Sequence, residues 1–96
     1  MTSERSLLDE RALAAGLETL PGWRVDGGAL RRDYPFDSYE AGVGFAVSIA
    51  LLAQRLDHHP DIEIVWGRVT LRWMTHDAGG ITARDLDAAH AVDDLW

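Results

Sequence analysis

The chain has 96 residues, no cysteine and a formal charge of −7. That is one domain with a single core, too small for a deep cleft between lobes, so a site is expected to be shallow or shared between subunits. It leaves no disulfide framework, thiol nucleophile or thiolate metal site, and without a basic cluster it argues against nucleic acid or anionic membrane as the main partner. All nine basic residues are Arg. The longest apolar stretch, around Val43 to Ala53, falls short of the roughly 20 residues a membrane span needs, and no segment has the pattern of a secretory leader. A cytoplasmic protein is expected.

Residues 1–8 are polar and read as a flexible N-terminus, with residues 9–96 as a single domain. Asp9 is the expected N-cap of the first helix, because Leu13, Leu17 and Leu20 then share one face, and Pro21-Gly22 stops it. Trp23–Val25 and Ala29–Phe36 flank Asp26-Gly27-Gly28, a hairpin turn in which glycine supplies positive φ. Arg31-Arg32-Asp33 reads as a solvated face.

Asp37 and Glu40 have capping-box spacing and are expected to start the second helix at about Ser38. Phe45, Ile49, Leu52 and Leu56 form one apolar stripe, and Val43, Val47, Ala50 and Leu51 carry apolar surface beyond it. A helix apolar over most of its circumference needs cover on more than one side. The sheet supplies one side, so helix 38–56 is expected to be a homodimer or homotetramer contact. A short N-terminal helix folded over it is the plainer alternative.

Ile62, Ile64 and Trp66 alternate, as do Val69, Leu71 and Trp73, so two strands meet at a turn holding Gly67. Counting by twos places His76 away from the core face with Arg72 and Met74, on a surface groove. Ala78-Gly79-Gly80 forms a loop that permits close backbone approach. Thr82 and Asp85 cap a final helix running to about Leu95. The elements give an α+β fold in the order α-β-β-α-β-β-α.

Three of the four histidines cluster in this pattern. Asp57-His58-His59-Pro60 lies at the end of the second helix, and Pro60 disfavours helical geometry at His59, so the two rings can converge there. The hairpin that follows returns His76 toward the same helix end. Imidazole, with a reference pKa near ~6.5, can donate and accept protons at neutral pH, which makes this an acid/base site candidate.

His58-His59-Pro60, the aromatic Trp66, His76 and Asp85 together resemble the signature of the pterin-4a-carbinolamine dehydratases. The likeness extends through Leu20-Pro21-Gly22-Trp23, through Phe45 with Ala50-Leu51-Leu52-Ala53, and through Thr75-His76-Asp77-Ala78-Gly79-Gly80-Ile81-Thr82. The resemblance implies a four-stranded antiparallel sheet covered on one face by three helices, a dimer or tetramer, and a reaction needing no cofactor and no metal. The implied substrate is a pterin, 4a-hydroxytetrahydrobiopterin or a close analogue, which loses water to give the quinonoid dihydropterin and so recycles the cofactor of aromatic amino acid hydroxylases. On this resemblance His58 and His76 are acid/base groups on the hydroxyl, and His59 holds the substrate at the hydroxyl-bearing carbon. Asp57 and Thr75 are ring-orienting partners, with Gln54, Ile62, Ala78 and Asp85 completing the substrate-binding shell. Two positions depart from the pattern. Gln54 stands where the family often has an acidic residue, and Ile62 where it often has an aromatic one.

Plainer readings exist for each feature. A histidine pair at a helix C-terminus can simply cap free carbonyls, three histidines can bind Zn²⁺, Asp85 can be only a helix cap, and His90 reads as a surface or interface residue. Trp23 and Trp73 read as core. A non-catalytic oligomeric scaffold or protein-binding member of the same fold is the alternative function, although such a relative would be expected to lose a histidine first.

Overall fold

The structure, a computed structural model, describes residues 5–96. The elements run α1 (Glu10–Glu18), β1 (Arg24–Asp26), β2 (Ala29–Pro35), α2 (Tyr39–Leu56), β3 (Asp61–Val65), β4 (Arg68–Trp73), a 3₁₀ turn (His76–Ala78) and α3 (Ala83–Leu95). The strands form one antiparallel sheet in the order β1-β2-β4-β3. This is the α+β architecture expected, with the helices on one face.

Each hairpin closes as its turn chemistry dictates. Asp26 pairs with Ala29, and Gly27 and Gly28 between them have φ 61° and 78°, positive at both positions as a type I′ turn requires. In the second hairpin Val65 pairs with Arg68 across Trp66-Gly67, Gly67 having φ 81°. Trp66 therefore sits in the turn, outside the strand, and is exposed.

Side-chain alternation along the strands separates core from solvent. Leu30 pairs with Trp73, Tyr34 with Val69, and Ile62 with Leu71. Leu30, Tyr34, Val69, Leu71 and Trp73 are buried beneath the helices with Phe45, Ile49 and Leu52 of α2 and Ala88, Ala89 and Val92 of α3. The opposite face carries Arg31, Asp33 and Arg72. There the fully buried Thr70 donates to Asp33 Oδ1 at 2.6 Å. That hydroxyl, with the guanidiniums of Arg24 and Arg31, holds the Asp33 carboxyl below the ordinary carboxylate range. Trp23 and Trp73 are core, as expected.

The helix starts agree with the sequence at two ends and differ at one. Asp9 caps α1 by accepting from Ala12 N at 2.8 Å. Thr82 caps α3 in a full capping box with Asp85. At α2 the N-cap is Ser38, whose Oγ accepts from Ala41 N at 3.2 Å, so Asp37 and Glu40 do not make the capping box their spacing suggested. Ser38, one residue later, adopts the extended φ/ψ an N-cap needs, and Glu40 remains a favourable charge in the first turn.

Within the segment read as a flexible terminus, residues 1–4 lie outside the described residues. Leu7 forms a bridge with Thr82, and the Leu8 N–H donates to Ile81 O at 3.0 Å. These two residues are tied down by long-range pairing that no local pattern announces. The α1 helix sits on α3, where a Cβ at Gly16 would meet Leu86, and Val47 and Leu51 of α2 remain exposed. The N-terminal helix therefore does not cover that stripe. No helix among the described residues is long and apolar enough to cross a membrane.

Candidate active site

The end of α2 sets the site. Asp57 is its C-cap in the left-handed conformation, φ 51° and ψ 41°, the one non-glycine residue with positive φ among the described residues. The N–H groups of Asp57 and His58 donate back to Gln54 and Ala53 carbonyls at 3.3 and 3.1 Å, as a left-handed helix exit does. The helix thus ends at Leu56, and Asp57, ahead of Pro60, turns the chain. The helix ends where the sequence predicts, at residue 56, and His58 lies just past it, anchored to the last turn through its N–H.

His58 is held from three sides. Its backbone N–H is used by the helix exit, its ring stacks on Trp73 with centroids 5.4 Å apart, and its Nε2 lies 2.5 Å from Asp85 Oδ1. Asp85 is fully buried, and its other oxygen accepts from Thr75 Oγ1 at 2.9 Å and from Thr82 N–H at 2.8 Å. Thr82 Oγ1 is 2.8 Å from Thr75 Oγ1, so the hydroxyls chain toward the carboxylate. A carboxylate only accepts, which places the proton of this contact on Nε2. Nδ1 of His58 has no protein partner among the described residues and is not among the fully buried unpaired atoms.

His59 is exposed, and its Nε2–H donates to Gln54 Oε1 at 2.9 Å. His76 opens the 3₁₀ turn one residue past the buried Thr75, whose N–H and carbonyl are both taken up in the tight return to Gly80. His76 itself is exposed, on the solvent side that strand parity anticipated. His58, His59 and His76 line one depression of about 180 Å³ together with Asp57, Thr75, Asp77 and Arg84. Among the described residues no three His, Asp or Glu side chains are grouped as metal ligands.

The remaining sequence candidates fall differently. Asp57 contributes backbone: its carbonyl accepts from Arg84 at 2.8 Å, whereas the carboxylate that orients a ring is that of Asp85. Thr75 reaches His58 only through Asp85. Gln54 supports His59 from behind. Ile62 is paired with Leu71 and packed against the core, and Ala78 closes the 3₁₀ turn; neither lines the depression. His90 lies elsewhere, its Nε2 3.0 Å from Thr19 Oγ1.

Asp77 and Arg84 were not singled out from the sequence. Arg84 follows the N-cap of α3 by two residues, and only the meeting of α3 with the end of α2 reveals it. Only the capping half of what Asp85 does had a visible signal. Its Thr-x-x-Asp spacing accounts for one carboxylate oxygen, leaving the other for a partner.

Three comparisons bear on this arrangement. The family described as Pterin 4 alpha carbinolamine dehydratase matches residues 6–95. A protein of Roseiflexus castenholzii provisionally named pterin-4-alpha-carbinolamine dehydratase is 39% identical over 90 residues, covering 94% of this chain and 97% of that one. A Nocardia farcinica protein with the same provisional name is 40% identical over 95 residues, covering 99% and 98%. The crystal structure of a transcriptional coactivator/pterin dehydratase from Brucella melitensis superposes with a TM-score of 0.82 at 33% identity, covering 92% of this chain and 96% of that chain. Matched by that family over residues 6–95, with relatives 39% and 40% identical over nearly its whole length, the chain belongs to the pterin-4a-carbinolamine dehydratase family.

Proposed function

We propose that the protein dehydrates a 4a-hydroxytetrahydropterin, 4a-hydroxytetrahydrobiopterin or a close analogue, to the quinonoid dihydropterin by histidine acid/base catalysis in the cytoplasm. The observation that carries the reading is the lining of one depression by His58, His59 and His76, with His58 backed by the buried Asp85. In the reaction the C4a–O bond breaks, a proton goes to the departing oxygen, and the adjacent ring nitrogen gives up its proton as the C4a=N bond forms. Water and the quinonoid product account for every atom.

His58 and His76 are the acid/base pair, and His59 holds the substrate at the hydroxyl-bearing carbon. Asp85 keeps a proton on Nε2 of His58, so exchange with substrate runs through Nδ1. Asp85 and, through it, Thr75 are positioning residues; Gln54 has the same part toward His59. Catalysis of this kind supplies roughly 100- to 10,000-fold and calls for no metal. The exposed stripe of α2 around Val47 and Leu51 is the homodimer or homotetramer contact.

The test is stopped-flow dehydration of a synthetic carbinolamine pterin, with and without chelator. A rate well above the spontaneous one, unchanged by chelator, is expected. A rate equal to the spontaneous one passes the protein to the scaffold reading, which the coactivator part of the Brucella protein's name and the exposed α2 stripe support. A tightly bound metal whose removal abolishes activity would instead favour a three-histidine zinc site.

A further inference from the structure

Trp73 closes β4, paired with Leu30 across the sheet, and is fully buried. Strand alternation sends it inward with Val69 and Leu71, and it lines no part of the histidine-lined depression. By position it is a core residue. Yet its indole faces the ring of His58, with centroids 5.4 Å apart and planes 30° from parallel. Apolar filling alone does not account for an indole at this place. Its Nε1–H is buried without a partner among the described residues, and an unpaired buried donor is unfavourable where a phenyl or leucyl group would have none.

The flat face supplies what the other contacts of His58 do not. The torsion about the Cβ–Cγ bond of a histidine is broad, with no narrow well to fix the ring plane. The contact of Nε2 with Asp85 Oδ1 restrains that torsion only in part, because Nε2 lies nearer the axis of the Cβ–Cγ bond than Nδ1 does, and Nδ1 makes the wider swing. A stacked ring resists the rotation directly, since tilting away forfeits dispersion contacts over the whole face. His58 is the buried member of the three site imidazoles, His59 and His76 being exposed, so it is the one whose direction the interior decides.

We propose that Trp73 is a positioning residue for the dehydration: its indole face fixes the plane of the His58 ring and so the direction of Nδ1, the atom that exchanges a proton with substrate. The proposal rests on the dehydratase reading and adds to it a residue that never meets the substrate.

The test compares the wild type, Trp73→Phe and Trp73→Leu by ¹³C relaxation of the His58 ring and by stopped-flow dehydration. Phe keeps a flat face, and Leu fills the core without one. The His58 ring should be as ordered as the backbone in the wild type and in Trp73→Phe, and mobile in Trp73→Leu. Turnover should follow the ring. In Trp73→Leu kcat should fall by roughly 30- to 100-fold, the scale of a misplacement of about 1 Å, with KM within about threefold, and Trp73→Phe should recover kcat to within about fivefold of wild type. Trp73→Met, which fills more of the indole volume, stands in should Trp73→Leu not fold. Equal losses in the flat and the non-flat variant, or a loss of kcat while the ring stays ordered, would reduce Trp73 to packing and overturn the proposal. A His58 ring already mobile in the wild type overturns it without any variant. A wild type no faster than the spontaneous rate overturns the dehydratase reading and this proposal with it, whereas the ring outcomes overturn this proposal alone.

Discussion

Asp85→Asn isolates what the buried carboxylate does for His58. The replacement is nearly isosteric at a position with no solvent exposure, but it exchanges one acceptor oxygen for an NH2 group. Two donors, Thr75 Oγ1 and Thr82 N–H, converge on Oδ2, while His58 Nε2 alone meets Oδ1. The amide oxygen satisfies the pair, so the NH2 turns to His58, which must then offer the lone pair of Nε2. The ring proton moves to Nδ1, the nitrogen assigned to substrate. Losing a charge-assisted hydrogen bond, together with a carboxylate in the first turn of α3, costs about 2 kcal/mol. For a domain of this size that is a fall in Tm of about 8–16 °C. The fold should survive, with dehydration slowed by roughly 100- to 10,000-fold. Thermal unfolding followed by circular dichroism, ¹⁵N shifts of the His58 ring and stopped-flow turnover read the three effects separately. A variant that keeps both the wild-type rate and the Nε2–H tautomer would refute the reasoning.

Replacing His59 or His76 by Ala removes an exposed ring, so turnover should fall by roughly 100-fold or more while the free energy of unfolding moves by no more than the few tenths of a kcal/mol usual at surface sites; a rate within threefold of wild type would remove that residue from the mechanism. Val47→Glu places a charge in the middle of the exposed α2 stripe and should shift the mass in solution, measured by light scattering, to that of one chain; an unchanged mass would show that another surface holds the oligomer. Thr70→Val deletes the hydroxyl that holds the Asp33 carboxyl low. Because a depressed carboxyl contributes stability above its unfolded pKa of about 3.9 and loses it as pH falls through the lower folded value, the variant should be about 1.5 kcal/mol less stable at pH 7. Urea titrations at several pH values should show that difference shrinking below pH 4, and a constant difference would mean that lost packing, rather than the carboxylate, is responsible.

Local pattern was informative wherever a short stretch of chain decides its own conformation. Asp9 and Thr82 announce their helices because a cap is a contact between residues three apart, and Gly27-Gly28 and Gly67 mark hairpins because few other residues take positive φ. Strand alternation correctly sent Leu71 and Trp73 inward and His76 outward. The α2 start was read one residue early because Asp37 and Ser38 are both good caps, and backbone geometry chose between them. The paired histidines with a third across the hairpin were also visible, since their spacing and a turn are enough to bring them to one end of the domain.

What spacing could not show was the set of contacts between α3 and the end of α2. Nothing near Asp85 in the chain indicates that one carboxylate oxygen meets His58, since the two residues are far apart in sequence and meet only when both helices pack on the sheet. The same packing carries Arg84 to the Asp57 carbonyl and brings the buried Thr75 to Asp85. Local rules reached the elements, the hairpins and the gathering of three imidazoles at one end of the domain. The orientation of each ring, and the residues that enforce it, come from long-range contacts in a buried space where each polar atom must find a partner.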